Sequence, residues 1–495
     1  MGARPCVRVV SATILRYETP ETTGASLSNS KSDANETGAC QSDEGLASER
    51  GVRLEIARRH RKRKLAVLVV LAIVAAMAAG LYSVVTWRLT MERRGVGAVD
   101  APTTLEHIDD TTNRTGRFTA TVDYTSMAAP ADQKVSTQIQ WDDDWFFADP
   151  TAYNHELATT CSVLSAIANS ESNYYQAGTG APAYMEEALA QLGFTDVSTA
   201  SYRYRSEIID EIVNFITNTN DVTAYSIATK RVTSSETGAT KTLMLVSIRG
   251  SYGSEWVSDA NFGGAADVAS EEVDHEGFRA AAEEVIAQIG QGVSAYEERG
   301  GSTDDLAILF CGHSRGGAAA NLAAAYADEA ADGAHPLAPL GSIYCYAFAT
   351  PRTTTAAHAG DARYDNIFNI LNPSDLVPRL PLASWGYARY GRDVWLPEYG
   401  SAAFETGYDE MRRRFLANVG VECPYDPTDA TVVKAVESGL ADKVPTQADF
   451  LSLGGVTALA EALTQKMDVG RVLCSHYPNV YIAWMQTVDT AALMS

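Results

Sequence analysis

The chain has 495 residues, 46% hydrophobic and 20% charged, and a formal net charge of −23 at pH 7. That acidity argues against nucleic acid as a partner and against charge-driven adhesion to anionic lipid. The apolar fraction and length are sufficient for one large buried core, and no internal repeat breaks the chain into units.

Residues 1–64 are rich in Ser, Thr, Gly, Asp and Glu without sustained apolar periodicity, which predicts a disordered tail. The tail holds 12 basic and 8 acidic residues, so its +4 leaves −27 on the remainder. From Leu65 to Trp87 run 23 residues without a charge, long enough to cross a bilayer. The basic run Arg58-Arg-His-Arg-Lys-Arg-Lys64 precedes this span. Residues 50–64 hold eight Lys or Arg against three in 87–101. This asymmetry predicts a single-pass anchor with its N-terminus cytoplasmic and everything after residue 87 outside the cytoplasmic membrane. A cleaved signal peptide is the rival reading, because Ala76-Met-Ala78 has the small residues of a cleavage site. Residues 88–140 read as a stalk or an accessory strand or two.

Residues 141–495 read as one α/β domain. Helices are expected near Glu156–Asn169 and Pro182–Leu192, then strands near Thr223–Val232 and Thr242–Ile248, and a helix from Gly277 to about Gly290. Asp142-Asp-Asp144 reads as a solvated turn rather than a calcium site.

The segment from Leu306 to Gly317 carries the most information. Leu306–Cys311 is an apolar strand, Gly312-His-Ser-Arg-Gly316 follows, and an alanine-rich helix runs from Ala318 to about Ala327. This is G-x-S-x-G between a strand and a helix, the setting that holds a serine nucleophile on a sharp turn. Gly312 and Gly316 remove side chains that would collide at the turn. The start of the helix points its positive end at the place where an oxyanion would form.

Such a serine needs a base, and behind this type of elbow the partners follow in the order acid, then histidine. Ile343–Ala349 and Ile367–Leu371 are continuous apolar runs typical of buried parallel strands. Asp375 stands just past the second of them, where open α/β sheets place functional groups. Of eight histidines, His476 alone lies beyond Asp375. His313 belongs to the elbow itself, where its side chain should diverge from that of Ser314. Between acid and base, Tyr408–Ala417 and Thr446–Met467 read as helices, with Pro378 and Pro381 turning the chain away from the sheet.

Four separated motifs, Arg249-Gly250-Ser251, Gly312-His-Ser-Arg-Gly316, Asn372-Pro-Ser-Asp-Leu-Val-Pro-Arg-Leu-Pro381 and the late His476, resemble the fungal-type, or class 3, triacylglycerol lipases. His275-Glu-Gly-Phe278 matches a further pattern of that family. The resemblance runs from about Asp142 onward. It implies an α/β-hydrolase fold with a mostly parallel central sheet, here preceded by the transmembrane helix and disordered tail. It implies a serine ester hydrolase acting on lipid-like esters through Ser314, Asp375 and His476, with acylglycerol esters as the first expectation. A phospholipase or short-chain carboxylesterase is the alternative, and an idle hydrolase fold used as a surface binding module is the non-enzymatic one. The family's oxyanion residue corresponds to Ser251, with the Arg315 N–H as second donor. The chain departs from the family in the hundred or so residues between Asp375 and His476, read as an insertion at about 382–470.

By the same resemblance a lid spans Tyr252 to about Val273, where Trp256 and Phe262 stand among small and acidic residues. They are equally readable as a flap that docks on lipid or as core filling. Cys311 and Cys345 read as packed thiols, and Cys423 and Cys474 could bridge or remain free. No metal spacing appears and no cofactor is expected.

Overall fold

A computed structural model describes residues 114–129, 133–170, 183–199, 224–250, 274–446 and 469–493, with the single positions 449, 454 and 458. The tail 1–64, the apolar span 65–87 and most of 88–140 before Arg114 lie outside these residues. Among the described residues no helix is long and apolar enough to cross a membrane.

A seven-stranded sheet organises the domain. Its strands are β3 (Thr195–Ser198), β4 (Tyr225–Thr233), β5 (Thr240–Ile248), β6 (Leu306–His313), β7 (Ile343–Phe348), β8 (Ile367–Leu371) and β9 (Arg392–Trp395), in that spatial order. The pairs β3–β4 and β4–β5 are antiparallel, while β5 to β9 run parallel. The inner parallel strands are buried on both faces, and every residue of β6, β7 and β8 is buried. That is why they read as largely apolar runs rather than alternations.

The two faces feed two cores with period two. Leu309, Cys311, Tyr344, Tyr346 and Phe348 face one core, and Ile308, Phe310, Ile343, Cys345 and Ala347 face the other. On the second face lie α3 (Glu276–Glu298) and α4 (Arg315–Ala330). Helix α4 buries Ala318, Ala319, Ala320, Ala323, Ala324, Ala325 and Ala327. Its small side chains let the backbone lie close on β6 and β7, which holds the turn before it under the sheet's control. On the first face lie α1 (His155–Ala168), α2 (Tyr184–Gln191), α5 (Ala402–Val419) and α8 (Pro478–Met485). Asn154 caps α1 by accepting from Leu157 N (3.0 Å), and Ser401 caps α5 by accepting from Phe404 N (3.2 Å). Two further helices, α6 (Asp429–Lys443) and α7 (Val469–Cys474), fall between the acid and the base in sequence.

Several expectations need correction. Within 88–140, read as a stalk or an accessory strand or two, the described part is an antiparallel hairpin that ends at Trp141, β1 (Phe118–Thr125) and β2 (Lys134–Trp141), whose inward Val122, Tyr124, Ile139 and Trp141 join the first core. Helix α3 runs on to Glu298, because Val285, Ile289 and Val293 are buried at four-residue spacing. That apolar stripe outweighs the glycine penalty of about 1 kcal/mol each at Gly290 and Gly292. The segment after Pro381 does not simply leave the sheet, since it contributes the edge strand β9. Helix α5 begins at Ala402 rather than Tyr408, α6 was not expected, and the expected helix 446–467 lies almost wholly outside the described residues.

Asp143 is not a solvated turn residue. It is fully buried, accepts from Trp141 Nε1 (2.8 Å) and Gly116 N (2.8 Å), and pairs with Lys230 Nζ at 3.3 Å. Burial lowers the Lys230 ammonium to about 8, Asp143 opposing that shift. The same ammonium lies over the rings of Trp141 and Phe118, so the pair fastens the hairpin to β4. Cys423 and Cys474 are not bridged to each other. Cys311 and Cys345 are buried in their strands, as expected.

Candidate active site

Ser314 lies between β6 and α4 with φ 60° and ψ −128°. A non-glycine residue at such a positive φ is strained, and it persists only where the surroundings fix it. The fixing is visible. Ser314 N donates to Phe348 O on β7 (2.9 Å), and Ala318 N donates to Ser314 O (3.0 Å) in the first turn of α4. A Cβ on Gly312 would stand 2.2 Å from Gly316 O, and one on Gly316 would stand 2.3 Å from Ile248 O. The two motif glycines are therefore where β6, β5 and α4 touch backbone to backbone.

His476 Nε2 lies 2.8 Å from Ser314 Oγ, and its Nδ1 lies 2.7 Å from Asp375 Oδ2. Asp375 is fully buried and His476 nearly so. The carboxylate is well supplied: Val377 N donates to Oδ1 (2.9 Å) and Tyr481 Oη donates to Oδ2 (2.8 Å). Asn372 joins the two loops by donating Nδ2 to Ser475 O (2.9 Å) while its own N–H donates to Tyr481 Oη (3.1 Å). Burial and the adjacent Asp375 charge push the Tyr481 phenol well above its ordinary value, so it stays a donor. A carboxylate that orients Nδ1–H leaves Nε2 free to accept the serine proton, and it stabilises the imidazolium that results.

His313 does diverge from Ser314, but it does not leave the site. Its ring lies 4.7 Å from that of His476 and 5.5 Å from that of Tyr481. Burial and the neighbouring His476 hold it well below its ordinary value, hence neutral. It thus fills space beside the base without adding a second cation there. His275, at the start of α3, is also buried and stacks on Phe278 at 4.3 Å. Burial and the Arg315 charge lower it to about 4.

Arg315 is the first residue of α4, so its N–H belongs to the turn where the helix supplies no acceptor of its own. Ser251, Trp256 and Phe262 lie outside the described residues. The chain leading to Ser251 does reach the elbow. A Cβ on Gly250 would stand 2.5 Å from His313 O and 3.4 Å from Ser314 Cβ, and Gly250 N donates to Asn169 Oδ1 (2.8 Å). Sequence reasoning missed Tyr481, Asn372 and Asn169 as supports of the site. Asn372 stood inside a quoted motif, whereas the other two carried no local signal. Among the described residues no group of His, Cys, Asp or Glu is arranged to hold a metal ion.

Residues 245–385 match the family model described as lipase (class 3). That window contains the end of β5, the elbow and Asp375, and stops short of His476. Over 157 residues the chain is 31% identical to the secreted mono- and diacylglycerol lipase 1 of Fusarium solani, covering 31% of this chain and 44% of that protein. Over 174 residues it is 29% identical to the secreted mono- and diacylglycerol lipase A of Penicillium cyclopium, covering 34% and 52%. The chain thus spans about half the length of the curated relatives it matches. Among solved structures, the native propeptide complex of Rhizomucor miehei lipase is 20% identical, with 56% of this chain and 82% of that one covered at a TM-score of 0.33. A score that low carries no argument about the overall fold. The resemblance to the class 3 lipases holds over residues 245–385.

Proposed function

We propose that this class 3 lipase relative is a serine ester hydrolase that cleaves acylglycerol esters through an acyl-enzyme. The observation that carries the reading is the pair of bonds at His476, 2.8 Å to Ser314 Oγ and 2.7 Å to Asp375 Oδ2, on a serine held at positive φ. His476 Nε2 takes the Ser314 proton as Oγ attacks the ester carbonyl. The Nδ1–H bond to Asp375 stabilises the imidazolium. The Arg315 N–H, together with Ser251, receives the charge that develops on the carbonyl oxygen. The imidazolium then protonates the leaving alcohol, and water enters by the same base to release the acid and restore Oγ–H. Trp256 and Phe262 belong, in this reading, to a flap over the acyl site.

The substrate class rests on the family match and on the mono- and diacylglycerol lipases it resembles. The location rests on sequence alone: residues 65–87 anchor the protein, and the acidic domain faces away from the cytoplasm. Hydrolysis of p-nitrophenyl esters of graded chain length by the full protein tests the activity. Ser314→Ala should lose several orders of magnitude in kcat and all labelling by a fluorophosphonate probe. Equal labelling of both proteins would end the serine-hydrolase reading. Protease added to intact cells should digest the domain and spare an N-terminal tag, and the reverse pattern would invert the topology.

A further inference from the structure

A third apolar cluster lies apart from the two sheet cores. Leu376, Leu380 and Leu382 of the loop carrying Asp375 pack there with Val433, Val436 and Leu440 of α6, with Val444, and with Val472 of α7. The polar contacts follow the same route. Glu437, on the α6 face that bears Val433 and Leu440, accepts from Arg352 Nη2 at Oε1 (3.0 Å) and from Arg379 Nη1 at Oε2 (2.9 Å). Those two guanidiniums grip the acid loop in turn. Arg379 Nη2 donates to Pro373 O (3.3 Å), two residues before Asp375, and Arg352 Nη1 donates to Pro381 O (2.9 Å). Just ahead of α6, Pro427 O accepts from Ser374 Oγ (3.3 Å), which also meets Tyr425 Oη (3.3 Å).

The other end of α6 reaches the base. Asp429, its first residue, is fully buried and accepts from Arg471 Nε (3.2 Å) on α7, five residues before His476. One helix therefore holds both the loop of the acid and the helix leading to the base, which lie 101 residues apart in sequence.

We propose that residues 425–443 are a strut for the acid–base pair, with Glu437 and Asp429 as positioning residues. Glu437 acts on Asp375 through Arg379 and Arg352, and Asp429 acts on His476 through Arg471. The proposal rests on the reading of Ser314, Asp375 and His476 as a hydrolytic site. Removing the Glu437 charge sets two largely buried guanidiniums against each other beside the acid loop. The loop then shifts, and the bond to His476 Nδ1 lengthens.

The test measures kcat and KM on p-nitrophenyl butyrate for the full chain in detergent, normalised to active sites titrated with a fluorophosphonate. Glu437→Gln, which keeps shape and one acceptor, should lower kcat per titrated site about tenfold with KM within about twofold. That is a smaller loss than the roughly hundredfold expected for a full 1 Å misplacement. A lower melting temperature with kcat per titrated site unchanged would mean that the segment only stabilises the fold, and would overturn the proposal. If Glu437→Gln does not fold, Tyr425→Phe decides, since it removes only the hydroxyl at Ser374. It should lower kcat per titrated site about threefold, and no change overturns the strut. A wild type that takes up no phosphonate would instead sink the hydrolase reading itself.

Discussion

Gly312→Ala is the sharpest single perturbation of the elbow. The added methyl would stand 2.2 Å from Gly316 O, 2.4 Å from Gly316 C and 2.9 Å from Gly317 N, all backbone atoms in the first turn of α4. Relieving the closest contact to van der Waals range requires about 1 Å of movement. No side chain can yield instead, and β6 is tied on both sides by β5 and β7. The turn of α4 must therefore move, and with it Ser314 Oγ and the Arg315 N–H. From 2.8 Å, a shift of that size takes the Ser314–His476 bond out of hydrogen-bond reach, which ends near 3.2 Å. The expected loss in kcat is roughly hundredfold, with overpacking costing about 1–3 kcal/mol of stability. Gly341→Ala is the control, because nothing lies within 4 Å of a Cβ there. Initial rates on a p-nitrophenyl ester per mole of folded protein, with thermal melts alongside, decide the matter. A Gly312→Ala rate within about threefold of wild type would refute the packing argument.

Asp375→Asn and His476→Ala should each depress kcat strongly with little change in KM, and the double variant should be hardly worse than the histidine variant alone. Multiplicative loss in the double variant would show that another acid serves Ser314. Lys230→Met leaves the buried Asp143 carboxylate without its cation and should cost about 3–5 kcal/mol, read as a lowered urea midpoint. A loss under about 1 kcal/mol would mean that the N–H donors of Trp141 and Gly116 suffice. Burial raises the Asp328 carboxyl to about 8, the bond from Asn366 Nδ2 notwithstanding. The folded state thus keeps a proton that the unfolded chain gives up near its ordinary value. Stability from this group is present in acid and is lost as pH rises from about 4 through about 8. Asp328→Asn should flatten that part of the stability–pH curve, and an unchanged slope would reject the assignment.

The parts of the fold that could be read from sequence are those whose cause is local. The parallel strands announce themselves because burial on both faces demands unbroken apolar runs, as in Leu306–Cys311 and Ile343–Phe348. The elbow is legible because Gly312 and Gly316 answer a steric demand within five residues. His476 was reachable by chain order rather than by any feature of its neighbourhood. What stayed hidden depends on partners far away. Asp143 looks like one of three solvated acids until Lys230, 87 residues on, is folded against it. Tyr481 is one more aromatic in an apolar helix until its hydroxyl meets Asp375, 106 residues back. The hairpin β1–β2 does alternate, but it is short and polar on one face, so its burial became visible only with the helices that cover it.

That hairpin bears on when the site comes into being. Ser126 Oγ donates to Asn479 Oδ1 (2.6 Å), and Asn479 Nδ2 donates to Tyr124 Oη (2.9 Å), across sequence separations of 353 and 355 residues. Helix α8, which begins two residues after His476 and carries Tyr481, is thereby seated on strands synthesised long before it. Closures this long in sequence are slow and come late in folding. Ser314 precedes His476 by 162 residues in the chain, so during synthesis the serine emerges well before its base. On the hydrolase reading proposed above, the Ser314–His476 bond awaits the docking of α8. A truncation starting at residue 141 would remove the seat and keep every catalytic residue, which separates possessing the triad from being able to assemble it.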